Sequence, residues 1–376
     1  MKLPRPALAG LLLVLFALLA ASCGTIANPQ GWAAPVLDGS TTYIFQKKDR
    51  LAALDTAADG RTTVRWTFPD KTRPNQKDIK IDAVYGTPVL DGDRLYFASY
   101  AGELFAVGTK DGELIWRTHA LSGSIVGGVV IDGDRLYVAT TAGRFYALTK
   151  SDGKFAPGWP TGGLPSAEGI WAPPIIANGV AYLATMAGDI RAVTLADQSA
   201  AWPAPYRTPG AIASLALLGT DRLFVPGLNK TVTILDTKTG QPASPPFHAS
   251  EWVWTEPAFR DGTAYFGDFA GKVYALDITT GTVRWTADAQ HPVKAAPALL
   301  DDVLVVVDRQ PIVHLFDART GAPLAAFPLL DSGTVRAPVV AAGSVAYIVT
   351  TGGKLYRVDG KARSVAEVTI STGGGQ

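Results

Sequence analysis

Short apolar runs alternate along this chain with polar turns that contain glycine and aspartate. The stretch PVLDGDRLYFASYAGELFAVGTKDGELIW (Pro88–Trp116) shows the unit. An apolar opening ends in the turn Asp91-Gly92-Asp93, and a second run (RLYFAS) leads to a turn at Ala101-Gly102. A third run (LFAV) then reaches a turn at Asp111-Gly112, and a fourth (ELIW) closes the unit. Runs this short, rich in β-branched and aromatic residues and bounded by Gly and Asp, predict strands joined by tight turns. Helical periodicity with capping residues is not found after residue 25.

The unit recurs. The place of Pro88 is taken by Pro35, Val129, Pro174, Ala216, Pro257, Pro297 and Pro338, at spacings of 53, 41, 45, 42, 41, 40 and 41 residues. Such a period, with four strands in each copy, predicts one propeller blade per copy. Eight copies predict an all-β, eight-bladed β-propeller of four-stranded antiparallel blades over residues 31–370, in one domain, with a tail at 371–376. Closure of the circle is expected to bring the segment before Pro35, including Trp32, beside the last copy (Lys354–Ile370).

Composition agrees with this picture and narrows the function. A chain of 376 residues, 47% apolar and 18% charged, buries a large core. With 34 basic against 33 acidic residues there is no electrostatic case for nucleic acid.

The N-terminus reads as a targeting segment. Lys2 and Arg5 precede the apolar run Ala7–Ala21, which has signal-peptide length and falls short of the ~20 residues a transmembrane helix needs. The run ends LAASCG, and Cys23 is the only cysteine, so an internal disulfide is excluded. Small residues leading into a cysteine resemble the lipobox of bacterial lipoproteins, with Ala20 standing where leucine is usual. The resemblance implies a signal peptide at 1–22, lipidation at Cys23, a tether at 23–30, and a protein exported and held on a membrane. By resemblance to lipoproteins of double-membrane bacteria, Gly24 in place of Asp after the cysteine implies sorting to the outer membrane; in a single-membrane host the expected place is the outer face of the cytoplasmic membrane.

The end of each copy carries a further signature. Ala-x-Asp-x-x-Thr-Gly-x-x-x-Trp, best kept as Ala275, Asp277, Thr280, Gly281 and Trp285, resembles the propeller repeat of the pyrroloquinoline-quinone (PQQ) dehydrogenases. Weaker versions end at Trp66, Trp116 and Trp159, or keep only Asp236 with Thr239-Gly240 and Asp317 with Thr320-Gly321. In the turn itself the aspartate is suited to accept amide hydrogen bonds and the glycine to take φ > 0. The tryptophans at 66, 116, 159, 202 and 285 are expected to dock one blade on the next.

A lipobox followed by eight such repeats resembles the BamB family of lipoproteins from the outer-membrane protein assembly machinery. That resemblance implies a non-catalytic scaffold without cofactor, binding other envelope proteins or extended peptides. The alternative is a PQQ-dependent dehydrogenase. Those enzymes in many members hold the quinone between a tryptophan and a disulfide of adjacent cysteines, with Ca²⁺ on carboxylate and amide side chains; here no cysteine remains for the disulfide. A surface sensor or glycan-binding propeller is a third reading.

Other motifs carry less. GDFAGK (Gly267–Lys272) is one residue short of a phosphate-binding loop and lacks a following helix. Asp91/Asp93 and Asp132/Asp134 read as hairpin turns rather than Ca²⁺ loops. His119, His248, His291 and His314 lack metal-ligand spacing and read as solvated loop residues, and no nucleophile is coupled to a base.

Recognition is expected on the face where the blade-to-blade links vary, among them Thr67–Gly86, Gly163–Trp171, Ala204–Ile212 and Pro245–Trp254. Just before the first strands lie Trp32, Tyr85, Trp171, Trp254, Glu256, Lys294 and Arg336, expected to ring the mouth of the central channel. Arg207, Glu251 and Trp252 are expected to extend the patch. Aromatic and arginine side chains of this kind suit a partner loop or extended peptide.

Overall fold

The structure, a computed structural model, describes residues 30–46, 49–330 and 333–371. The expected signal peptide at 1–22, Cys23 with its tether up to residue 29, and the expected tail beyond residue 371 lie outside the described residues. Eight sheets of four antiparallel strands follow one another along the chain, with no helix among the described residues. The expected eight-bladed, all-β propeller is what the chain forms. Blade 2 is typical: its innermost strand Val89–Asp91 pairs with Arg94–Ala98, then Leu104–Gly108, then the outer Leu114–Arg117.

Burial explains the sequence pattern. The two middle strands of a blade are covered on both sides by the neighbouring blades, so runs such as Leu104–Val107 and Leu304–Val307 are continuously buried. An outer strand meets solvent and alternates, as Val283–Asp288 does. Apolar clusters therefore sit between blades: Tyr43, Leu51 and Trp66 of blade 1 pack with Leu95, Phe97 and Phe105 of blade 2.

The repeated turn is a docking seat. Asp317 Oδ1 accepts from the amides of Arg319 (3.1 Å) and Thr320 (2.8 Å), and Asp277 does the same for Thr279 and Thr280. In four of the blades the glycine of the turn then lies flat under the tryptophan of the preceding blade. A Cβ on Gly112 (φ +71°) would stand 2.7 Å from the Trp66 ring, and Gly153, Gly240 and Gly321 meet Trp116, Trp202 and Trp285 in the same way. Each of these indoles also donates across the blade boundary, Trp66 to Thr109 O (2.9 Å), Trp116 to Lys150 O (3.2 Å), Trp202 to Thr237 O (2.8 Å) and Trp285 to Ala318 O (3.0 Å).

Trp159 departs from the pattern. It packs on Tyr137 and Phe145 of its own blade, and its indole nitrogen has no partner among the described residues. The seat it would use is occupied by Gln198, which holds the left-handed conformation (φ 62°) with a side chain where glycine leaves room.

The circle is closed at the chain ends. Ile370–Ser371 adds a fifth strand, parallel to the outer strand Thr62–Phe68 of blade 1. The Trp32 amide instead bonds Val84 O in the link to blade 2 (2.9 Å), while its ring reaches Arg336 beside blade 8. Closure thus uses the C-terminal strand on the outer edge as well as the N-terminal segment near the axis. The eighth copy also begins one residue later than the Pro338 alignment implies. Its first strand is Val340–Ala342, which pairs with Val345–Val349 as Ala298–Leu300 pairs with Val303–Val307.

Candidate functional site at the channel mouth

One backbone hydrogen bond, repeated blade after blade, sets the site. The turn between the second and third strands donates an amide to the link that enters the same blade: Tyr100 to Ala83, Thr141 to Ser124, Met186 to Gly169, Leu228 to Ala211, Phe269 to Trp252, Arg309 to Pro292 and Thr351 to Thr334. Two residues beyond each acceptor the chain reaches the axis. Those positions are Tyr85, Val126, Trp171, Ala213, Trp254, Lys294 and Arg336, and Trp32 completes the circle from blade 1; all eight line one cavity of about 650 Å³. Glu256 lines it too, two residues past Trp254.

All seven residues expected at the mouth are therefore brought together. Val126 and Ala213 were not singled out, because small apolar side chains carry no chemical signal, yet they make room opposite the large ones. Arg336 holds the axis place of blade 8 because of the one-residue shift; its neighbour Val335 is buried in the core instead. Around blades 2 to 4 the inner links approach so closely that a Cβ on Gly86 would lie 2.2 Å from the Gly128 Cα.

The three residues expected to extend the patch are placed differently. Arg207 is in the outer strand of blade 4, paired with Asp189 (3.1 Å), and does not line the channel. Glu251 forms an ion pair with Lys230 (3.0 Å). Trp252 is exposed (43%) and joins the mouth through Phe269, whose ring lies 6.1 Å from Trp252 and stacks 6.0 Å from Trp254. Phe269 was hidden in GDFAGK, which the structure shows as a hairpin turn.

The wall is chemically lopsided. Trp32 packs edge-on against Tyr85 (4.2 Å). Lys294 Nζ lies 4.4 Å from the Trp254 ring centroid and 5.4 Å from that of Trp32, and the Arg336 guanidinium lies 5.6 Å from Trp32. Burial, with help from Arg336 and Arg309, pushes the Lys294 ammonium down to about 8. Glu256 still faces the channel in part but is hemmed in by protein, and loss of hydration pushes its carboxyl up to about 7.

That shift has a stability consequence. The folded state binds a proton at Glu256 between its ordinary 4.5 and about 7, so stability falls as pH rises through this window and the deficit is complete above it. Glu256→Gln stays neutral throughout. It should raise the unfolding free energy by about 1–2 kcal/mol at alkaline pH and change little in acid, as urea titrations at both pH values would show.

The histidines divide. His119 and His248 are exposed as expected, but His314 is buried and bonds Asp308 Oδ2 (2.9 Å), which His291 also reaches (3.1 Å). Reading His314 as a solvated loop residue is therefore corrected: it sits in the buried run Val313–Phe316 of a middle strand. Among the described residues no group of three or more His, Cys, Asp or Glu is placed to hold a metal ion. Of the described residues that line the channel only Glu256 carries a carboxylate and none carries an amide side chain, so this wall lacks the carboxylate-and-amide set that the resemblance to the quinone enzymes implies for Ca²⁺.

Fold and site define a PQQ-like repeat propeller with an aromatic and charged channel mouth. A family model described as outer membrane protein assembly factor BamB matches residues 24–157, 57–210, 109–245 and 230–373, and the chain belongs to that family. A BamB of Legionella pneumophila (strain Paris) is 29% identical over 126 residues, 34% of this chain and 32% of the relative. A BamB of Pseudomonas aeruginosa is 27% identical over 192 residues, 48% of this chain and 50% of the relative. The chain thus aligns with half or less of these relatives' length. The crystal structure of BamB from Moraxella catarrhalis superposes with a TM-score of 0.67 at 15% identity, covering 86% of this chain and 93% of that one. The computationally designed Ika8 protein does so with 0.70 at 12% identity, covering 88% and 96%. Both likenesses concern the fold.

Proposed function

We propose that this chain is a non-catalytic, cofactor-free scaffold of the cell envelope, lipid-anchored at Cys23, that binds other envelope proteins or extended peptides at its channel mouth. In a host with an outer membrane its role is in outer-membrane protein assembly, as the names of its relatives suggest. The observation that carries the reading is the convergence of one axis residue from every blade on a single cavity whose wall mixes tryptophan with both signs of charge. Such surfaces suit polypeptide partners, in which a few aromatic and arginine contacts dominate the energy.

A photo-crosslinking residue at the exposed Trp252 position should capture an envelope protein in cells. Alanine at Trp254, Lys294 and Arg336 together should weaken that capture by a few kcal/mol, on the order of a hundredfold, with the melting temperature held. Capture that survives the triple replacement moves the partner site elsewhere. Stoichiometric binding of PQQ with Ca²⁺, followed by dye reduction with alcohols or sugars, would overturn the non-catalytic reading. Cys23→Ser should move the protein from the membrane to the soluble fraction and abolish lipid labelling. Each buried CH₂ of an acyl chain contributes about 0.8 kcal/mol, and two signals or more give stable attachment. Unchanged fractionation removes the anchor.

A further inference from the structure

The cations of the mouth are not spread round the ring. Lys294 and Arg336 are the axis residues of adjacent blades, flanked by Trp254 on one side and Trp32 on the other. Arg309, exposed in the turn of blade 7, adds a third positive charge at the same edge. None of the three forms an ion pair among the described residues, although surface cations elsewhere on the molecule commonly do, as Arg65 with Asp55 and Arg222 with Asp236. Asp308, next to Arg309 in sequence, is taken up by two histidines and two turn amides. Charges drawn out of water without an anion are costly, so an unpaired, partly buried pair beside an open cavity favours the arrival of a negative group.

We propose that the sector Trp254–Lys294–Arg336–Trp32 binds a carboxylate carried on a flat or apolar body, the carboxylate between the two cations and the body against the indole faces. The cavity has the volume of a small-ligand pocket. Arginine supplies the bidentate donor fork and lysine the point charge, while the tryptophans exclude water from one side. The proposal goes beyond the scaffold reading and is independent of it, since a small acid can bind here whether or not a protein partner does.

Protonation sets the direction of the pH dependence. The charged groups facing the sector are Lys294, Arg336 and Arg309, with Glu256 in the same wall. As pH falls from about 8.5 to about 6, Lys294 becomes fully charged and Glu256 loses its charge, so affinity for an already ionised carboxylate rises.

The test uses three probes with one body and different heads: 3-phenylpropionate, 3-phenylpropanamide and 3-phenylpropylamine, titrated calorimetrically into the full chain. The anion should bind roughly tenfold or more tightly than the amide, with the amine weakest, and added salt should shrink the difference. Lys294→Gln with Arg336→Gln should erase the preference, Trp254→Ala should weaken every probe, and Glu256→Gln should strengthen the anion at alkaline pH. Melting curves check that each variant is folded. A blocked tripeptide ending in leucine, with its terminus free or amidated, then separates a chain end from a free small acid as the source of the carboxylate. Equal binding of acid and amine, a preference that survives loss of both cations, or no heat from any probe overturns the proposal.

Discussion

Replacing Trp66 with alanine should lower the unfolding free energy by about 3–5 kcal/mol, measured as a drop in the urea midpoint at unchanged slope. The indole is 7% exposed and lies between blades 1 and 2, so its removal leaves a cavity that neither rigid sheet can collapse to fill. The Thr109 carbonyl loses its donor at the same time. Trp66→Phe keeps most of the apolar contact and loses the hydrogen bond, so about 1–2 kcal/mol is expected. Gly112→Ala attacks the same joint from the other side, with a Cβ driven into the ring at a left-handed backbone position, and should cost at least about 1 kcal/mol. If the alanine variant at Trp66 matches wild type, these tryptophans do not hold the blades together.

How much of this was legible beforehand follows from what the repeat encodes. Strand and turn positions recur because each blade solves the same packing problem, and so the blade number and the docking tryptophans could be read directly. The exceptions are places where a local residue changes the solution. Gln198 in place of glycine removes the seat for Trp159. Gly281, in the best copy of the motif, meets the Pro245 carbonyl rather than a ring, because the outer segment of blade 5 brings Ser244 and Pro245 to that place.

The candidate site was legible to the extent that it is periodic. The chain reaches the axis three or four residues before each first strand, so aromatic and charged residues there announce themselves. The expectation that Arg207 extends the patch does not follow that periodicity. Arg207 is held at the outer edge of its blade by Asp189, a partner that no spacing rule reveals. Phe269 escaped because its contact with Trp254 joins a turn to a link, and only the three-dimensional approach of the two defines it.

Asp308 should prove the most sensitive carboxylate in the molecule. It is fully buried, and its two oxygens accept from the amides of Gln310 (2.8 Å) and Ile312 (3.0 Å) and from His291 and His314. Burial opposes its charge, but the hydrogen bonds from His314, Ile312 and His291 outweigh it and hold the carboxyl below the ordinary range. The equivalent place in blade 6 is Asp268, which satisfies the same turn amides and takes Tyr274 and the Glu251 amide as partners. The carboxylate is therefore a structural cap on the turn that positions Arg309 and, through the Pro292 carbonyl, the link bearing Lys294. Asp308→Ala strands two turn amides and a buried imidazole, and should cost about 3 kcal/mol or more at neutral pH. Because the folded carboxyl is the stronger acid, its contribution is present above the unfolded value and is lost as pH falls through the lower folded one. The gap between wild type and Asp308→Asn should accordingly be wide at neutral pH and narrow in strong acid, with the turn and Lys294 displaced together in the variant. A gap that stays constant across this range would mean that Asp308 acts by its shape and not by its charge.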